Sequence, residues 1–193
     1  MRLSRKRRKA GFSLIELVVA IAVAIILLAI GLPAFLRAYR IYELNNAARQ
    51  VADILRLTRY EAIRLNKPVN CVAQATGSTP PTTNVWVDSD LDGVLDATEK
   101  MTLLDSSGNL VGAPGTAVPL TNVGTNSIVP VSPSSASVRF DARGAVIPPT
   151  AVNVFYLSSG LAPEAGYRAV VLMPTGSIQI WMSDTSGNWQ FQQ

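Results

Sequence analysis

Between Phe12 and Leu36 the chain carries one ionisable side chain, Glu16. The charge-free run from Leu17 to Leu36 is about 20 residues long, enough for a helix to cross a ~30 Å hydrocarbon core. No other feature narrows the folding options as far. In water such a run has to be buried on every side; in lipid it has to be a helix, because a helix satisfies its own backbone hydrogen bonds there. The flanks choose lipid. The segment Met1 to Gly11 holds Arg2, Arg5, Lys6, Arg7, Arg8 and Lys9 with no acid, against Arg37 and Arg40 just beyond the run. That asymmetry keeps the N-terminus cytoplasmic and places the remainder outside. A carboxylate at membrane depth costs ~2.5–3.5 kcal/mol on insertion scales, so Glu16 marks a functional position and calls for a cationic partner.

A general-export signal peptide needs a small-residue cleavage site after its apolar region, and Ile30-Gly31-Leu32-Pro33-Ala34 is a poor one. A plain signal anchor leaves Glu16 without a reason. The stretch Gly11-Phe12-Ser13-Leu14-Ile15-Glu16 resembles the processing site of type IV prepilins and type II secretion pseudopilins, and Pro33 fits a helix kink common in pilins. The resemblance implies that a prepilin peptidase cuts between Gly11 and Phe12 and that Phe12 is N-methylated. It also implies that Glu16 pairs with the terminal amine of a neighbouring subunit during assembly.

The basic leader dominates the overall charge. Removing its six cations from the 17 Lys and Arg leaves 11 against 13 Asp and Glu, a formal charge of −2. From Pro68 onward Lys100, Arg139, Arg143 and Arg168 face nine acids, or −5. A region of that sign does not attract phosphate backbones through its overall field. Histidine is absent and Cys71 is the only cysteine, which removes the commonest general base, a leading zinc ligand and any internal disulfide. With no G-x-S-x-G, no Cys/His pair and no phosphate-cradling glycine loop, the usual elements of an active site are missing. Cys71 lies between Val69 and Val72 in a strand-like run and is expected to be buried, an intermolecular disulfide being the alternative.

Past the apolar run, Leu44, Ala48, Val51, Leu55, Thr58, Ala62 and Leu65 step by four and three, one stripe of an α-helix that needs a cover. Arg49 and Asp53, and Asp53 and Arg56, are spaced to pair on another face. The helix is expected to end at Asn66-Lys67-Pro68, since proline disfavours a helical residue before it. From about Leu14 to Asn66 it would be ~80 Å long. Beyond it come short β-prone runs split by turn residues: Val69 to Ala73, Asn84 to Val87, Met101 to Leu104, Ser137 to Phe140, Val152 to Leu157, Ala169 to Met173, Ser177 to Met182 and Trp189 to Phe191. Met173-Pro174-Thr175-Gly176-Ser177 reads as a tight hairpin connection with Gly176 at φ > 0. Residues 105–136, rich in Gly, Ser, Thr and Pro, read as a long surface excursion, either mobile or holding an extra strand pair.

The expected fold class is therefore α+β, a long N-terminal helix packed in its second half against a C-terminal antiparallel β-rich head. Its parts are a cleaved leader (1–11), a transmembrane or filament-core helix (12–36), an amphipathic continuation (37–67) and the head (68–193) with its long loop near 105–136.

The sharpest chemical motif is Asp88-Ser89-Asp90-Leu91-Asp92-Gly93-Val94-Leu95-Asp96-Ala97-Thr98-Glu99, which fits D-x-[DN]-x-[DN]-G-x5-E throughout. If Gly93 makes the sharp turn, the oxygens of Asp88, Asp90 and Asp92, the Val94 carbonyl, Asp96 (directly or through water) and a bidentate Glu99 can converge on a calcium ion. The preceding Asn84 to Val87 reads as a strand, where a calcium loop of this type usually follows a helix. An ordinary acidic surface turn is the competing reading. No cofactor is required, and calcium is the one candidate ion.

Several further pieces resemble a narrower group. Tyr60-Glu61-Ala62-Ile63-Arg64, Pro68-Val69-Asn70-Cys71, Trp86-Val87-Asp88 and Arg139-Phe140-Asp141-Ala142-Arg143-Gly144 are similar to the minor pseudopilins that include the secretion-system H pseudopilin and the pilus protein FimT. This implies a non-enzymatic structural subunit of the bacterial inner membrane, spanning it once, with its head in the periplasm. Its implied partners are other pilins or pseudopilins, the prepilin peptidase and an inner-membrane assembly platform, with a type II secretion pseudopilus or a type IV pilus as the product. DNA uptake, known of some FimT-like proteins, is the alternative, and an unprocessed signal-anchored periplasmic protein is another. The Gly-Arg-x-Arg turn of the DNA-binding relatives stands here as Gly176-Ser177-Ile178-Gln179, without either arginine. Nucleic acid is therefore not an expected partner.

Overall fold

The computed structural model of the protein describes residues 13–77, 82–120 and 126–192. Among the described residues one helix, α1 (Leu14–Leu65), precedes eleven strands and a single 3-10 turn. The chain divides into two compact units, Met1–Ala38 and Tyr39–Gln193.

In the first unit every described residue is exposed, including Leu17, Ile21, Ile25, Leu28 and Phe35. The helix continues through Pro33 without the backbone bond that proline cannot donate. Leaving each such side chain in water forgoes about 1.5–3 kcal/mol of burial energy, so this surface requires lipid or other helices around it.

In the second unit the same helix has an inward face. Leu44, Ala48, Val51, Leu55, Thr58 and Ala62 are fully buried, as the stripe requires, and Ala47, Ala52 and Ile54 widen it. Four alanines on that face let the sheets approach the helix closely. The C-terminus closes with Asn66 at φ 49°, its amide donating to Ile63 O (3.2 Å) and that of Lys67 to Ala62 O (3.3 Å). Those two bonds satisfy helix carbonyls that would otherwise be orphaned, and Pro68 then leads into the first strand.

The strands are β1 (Val69–Thr76), β2 (Thr82–Asp88), β3 (Met101–Leu104), β4 (Asn109–Val111), β5 (Ser127–Pro130), β6 (Ser135–Phe140), β7 (Val146–Ile147), β8 (Ala151–Ser158), β9 (Tyr167–Leu172), β10 (Ile178–Ser183) and β11 (Trp189–Gln192). One sheet runs β3-β2-β1-β6-β7 and the other β11-β10-β9-β8-β4; β5 also pairs with β8. All pairings are antiparallel except β5 with β8. Alternate residues Val69, Cys71 and Ala73 of β1, Val85 and Val87 of β2, and Val138 and Phe140 of β6 meet the helix stripe. Phe155 and Leu157 of β8 and Val170 and Leu172 of β9 complete the same core from the second sheet.

The second sheet is buried on its other face as well, where Val152, Val154, Tyr156, Ala169 and Val171 pack under Val118. The Val118 amide donates to the Tyr156 hydroxyl (3.4 Å), and the Trp189 indole donates to Thr116 O (2.9 Å). Here the structure differs from a surface excursion over 105–136. This stretch supplies β4 and β5, which pair with β8 and not with each other, and buries Leu110, Val118 and Val131. Val118 and Val131 lie in short apolar pieces broken by proline, so no period reveals them. β8 and β9 read as continuous apolar runs for the same reason, both of their faces being covered.

Candidate functional site

Glu16 lies in the first turn of α1, where the unpaired amides of a helix N-terminus favour a carboxylate. It is exposed, and no other acid or base accompanies it in the described helix as far as Leu36. Gly11 and Phe12, the residues on either side of the expected cleavage, lie outside the described residues.

The acidic loop spans the β2–β3 hairpin, so strands flank it on both sides, and the Val87 amide donates to Lys100 O (3.0 Å) at its base. Asp88 ends β2 and is fully buried. Its Oδ1 accepts from the Leu91 amide (2.7 Å); its Oδ2 accepts from the Gly93 amide and from Asn70 Nδ2, both at 3.3 Å. Those bonds fold the chain back over the carboxylate, with Leu91 at φ 70° and Gly93 at φ 74°. Glu99 closes the ring from the far end, accepting from the Ser89 amide (3.0 Å) and the Asp96 amide (3.2 Å). Asp90 accepts from the Asp92 amide (3.3 Å) and Asp92 from the Val94 amide (2.7 Å).

Asp88, Asp90 and Glu99 can each offer an oxygen within 4.8 Å of the others, and so can Asp90, Asp92 and Asp96. Oxygens bound to one calcium at 2.3–2.6 Å lie at most about 5 Å apart, so each triad fits the ion's size and preference for hard ligands. The motif residues thus come together as two triads sharing Asp90. Val94 contributes an exposed side chain (59%).

A second feature carries no sequence motif. Arg49, Asp53 and Arg56 on α1 line a groove of about 610 Å³ with Ile178, Ile180 and Phe191 from the outer strands of the second sheet. Arg56 is bound to Asp53 at 2.7 Å, whereas Arg49 has no hydrogen bond or ion pair among the described residues. Of the two pairings that the spacing allows, one forms. Sequence spacing puts the three charged residues on one helix face but cannot show that β10 and β11 come to lie beside them.

Arg59 links the ends of two hairpins. Its Nη1 donates to Gly176 O (3.1 Å) in the β9–β10 turn, and its side chain also packs against Gly144 in the β6–β7 turn. The Val146 amide donates to Pro174 O (2.9 Å), tying one turn to the other. Arg168, one of the four cations in the head's net charge, is buried. It donates to Asn45 Oδ1 (2.6 Å) on α1 and to the carbonyls of Ala165 (3.1 Å) and Tyr167 (2.9 Å); burial lowers its pKa. Cys71 is buried beside Thr58, and desolvation pushes its thiol up to about 12.

An uncovered apolar helix with one carboxylate in its first turn, continuing into an α+β head, is the architecture of pilin-type subunits. Residues 6–32 match the prokaryotic N-terminal methylation motif, and residues 47–176 match the type II transport protein GspH. The chain belongs to the GspH family and is a pilin/pseudopilin subunit. No curated protein matches it. Among solved structures it is similar to the type IV minor pilin FimU of Pseudomonas aeruginosa in two crystal forms. In space group P21 the two share 18% identity over 79% of this chain and 94% of FimU, with a TM-score of 0.48. In P65 the values are 17%, 78%, 98% and 0.47.

Proposed function

We propose that this subunit is made as a prepilin, cut between Gly11 and Phe12, methylated on Phe12, and assembled as a minor component of a type II secretion pseudopilus or a type IV pilus. The observation that carries the reading is the apolar helix surface from Leu14 to Ala38, exposed throughout in a chain of the GspH family. Such a surface is at home in a bilayer, with the cationic leader on the cytoplasmic side and the head in the periplasm. Extraction by an inner-membrane assembly platform exchanges lipid for the helices of neighbouring pilins without exposing the surface to water. Glu16 sets the axial register by meeting a neighbour's terminal amine, because an unmatched charge in an apolar core is heavily penalised. No catalytic role is part of this proposal.

The test is the intact mass of the protein from membranes of cells with and without prepilin peptidase. Loss of Met1 to Gly11 together with gain of one methyl group, only where the peptidase is present, is the expected result. An unprocessed chain in both would refute the proposal and leave a signal-anchored protein. A salt-dependent mobility shift addresses DNA uptake, and tight binding at physiological salt would replace the structural reading.

The two oxygen triads favour a second reading, in which the β2–β3 loop holds a weak calcium ion. Asp88, Asp90, Asp92, Asp96 and Glu99 would supply carboxylates and Val94 its carbonyl. Bound ion would stabilise the native state by mass action. Millimolar calcium should then raise the thermal midpoint of the wild type and leave that of Asp90→Ala unchanged; equal responses of the two proteins exclude the site.

A further inference from the structure

Taking the membrane placement above as given, we propose that the turn from Ser159 to Ala162 seats Leu161 in the headgroup layer of the bilayer, so that the unassembled head makes its own contact with lipid. A lone exposed leucine is ordinary on a protein surface; this one differs in how it is held. Leu161 is 51% exposed, between Ser159 and Ala162, which are both buried. Its amide donates to Ser159 Oγ (3.2 Å), its carbonyl accepts from Arg40 Nη1 (2.8 Å), and the Gly160 amide donates to Ser106 O (3.0 Å). Three bonds therefore fix the backbone of a turn whose one large apolar side chain is left uncovered. Beside it, Leu161 walls a pocket of about 370 Å³ together with Leu110, Val111 and Gly160, and none of the described lining residues is charged.

The chain itself sets the level of this turn. The run from Leu17 to Leu36 just fills the ~30 Å hydrocarbon core, and the headgroup layer beyond it is ~5–8 Å deep. Tyr39 follows Leu36 by three residues, so it lies within about 11 Å of the core's edge whatever path the chain takes. Arg40, which holds Leu161, is the next residue. Tyr39 (50% exposed) and Tyr42 (63% exposed) stand on the same turn of α1, and such amphipathic rings are enriched at headgroup depth. The patch as a whole is not basic. Glu43 accepts a hydrogen bond from Tyr39, Glu164 lines a pocket with Ile41, and the exposed Asp105 precedes Ser106. Anionic lipid therefore has no advantage over zwitterionic lipid, and the contact is apolar, with the leucine entering the layer and the acids staying in water. Lipid is the occupant because the surface continues, within a few residues, the helix surface that already requires an apolar surround.

The experiment uses the full chain with Cys71→Ala and one new cysteine carrying a polarity-sensitive fluorophore, reconstituted at high lipid excess in phosphatidylcholine vesicles whose acyl chains are spin-labelled near the headgroup. Three sites are compared: Leu161→Cys, Leu32→Cys within the apolar run, and Tyr60→Cys, which is exposed on α1 and ~30 Å beyond Arg40 along the helix. All three replace exposed side chains, so the head should fold, as native tryptophan emission would show. Lipid should quench the labels at Leu161 and Leu32 at least about fivefold more than the label at Tyr60, because an interfacial group buried ~5–10 Å deep meets the spin label and a distant one does not. Adding phosphatidylglycerol to the vesicles should leave the Leu161 quenching unchanged. Quenching at Leu32 but not at Leu161 overturns the lipid contact alone; quenching at neither overturns the membrane placement as well. Quenching at Leu161 no greater than at Tyr60, quenching that requires phosphatidylglycerol, or a blue-shifted label that lipid does not quench and that another copy of the protein therefore covers, would each overturn it too.

Discussion

Gly176 lets the packing between two hairpins be tested at one atom. It sits at φ 79° in the β9–β10 turn, and a Cβ built there would lie 2.1 Å from Gly144 O and 2.9 Å from Arg59 Nε. The carbonyl is backbone and belongs to another hairpin, so it cannot swing away as a side chain would. Gly176→Ala therefore meets two penalties. A left-handed conformation costs a residue with a Cβ about 1–2 kcal/mol, and forcing the two turns apart adds about 1–3 kcal/mol of the kind seen on overpacking. A loss of about 3 kcal/mol is expected, which in a domain of 150–250 residues lowers the thermal midpoint by roughly 6–12 °C. Tryptophan fluorescence of the detergent-solubilised chain is a suitable readout, since Trp86, Trp181 and Trp189 all lie in the second unit. Gly112→Ala is the control, because a Cβ there meets nothing within 4 Å. If Gly176→Ala melts together with the control, the two turns are not locked against each other.

Glu16→Leu should remain in the membrane fraction, since the change removes an insertion cost, while its recovery in sheared filaments falls at least tenfold; normal incorporation would refute the register role. Arg168→Met leaves Asn45 and two carbonyls without their donor and should destabilise the head by about 2–4 kcal/mol in chemical unfolding; a loss below about 1 kcal/mol would show that the guanidinium is dispensable. Burial raises the Cys71 thiol from 9.0 to about 12. Because the folded value is the higher one, the stability this supplies is present below about pH 9 and is lost as the pH rises towards 12. Wild type should accordingly lose more stability than Cys71→Ala between pH 9 and 11. The native thiol should also resist alkylation at pH 8 until the protein is denatured; rapid labelling of the folded chain would contradict its burial.

The helix was legible because its signals are local and repeated. The charge-free run, the lone Glu16 and the step of four and three from Leu44 to Ala62 each span many residues, so no single exception hides them. Leu65, the last residue of that stripe, is only half-buried, because the helix is already leaving the core there. A strand with alternating burial, such as β6, was legible for the same reason. β4 and β5 were not. Each is held by pairing with β8, far away in sequence, and their own residues carry no periodic pattern.

The candidate site divides along the same line. The twelve-residue acidic motif could be read in full, because its chemistry depends on spacing within one loop. Its division into two triads, and the fastening of Asp88 by Asn70 from the neighbouring strand, depend on strand register. The groove depends on tertiary structure entirely. Arg49, Ile180 and Phe191 are far apart in the chain and carry no signal where they stand, and only the closure of the second sheet onto α1 turns them into one surface. The sequence by itself determined that this chain needs an apolar environment for its first helix and a cover for its second half, because burial energy follows from composition and period. Which surfaces were left exposed for partners was decided by the tertiary structure, since exposure is what remains after non-local packing has chosen what to bury.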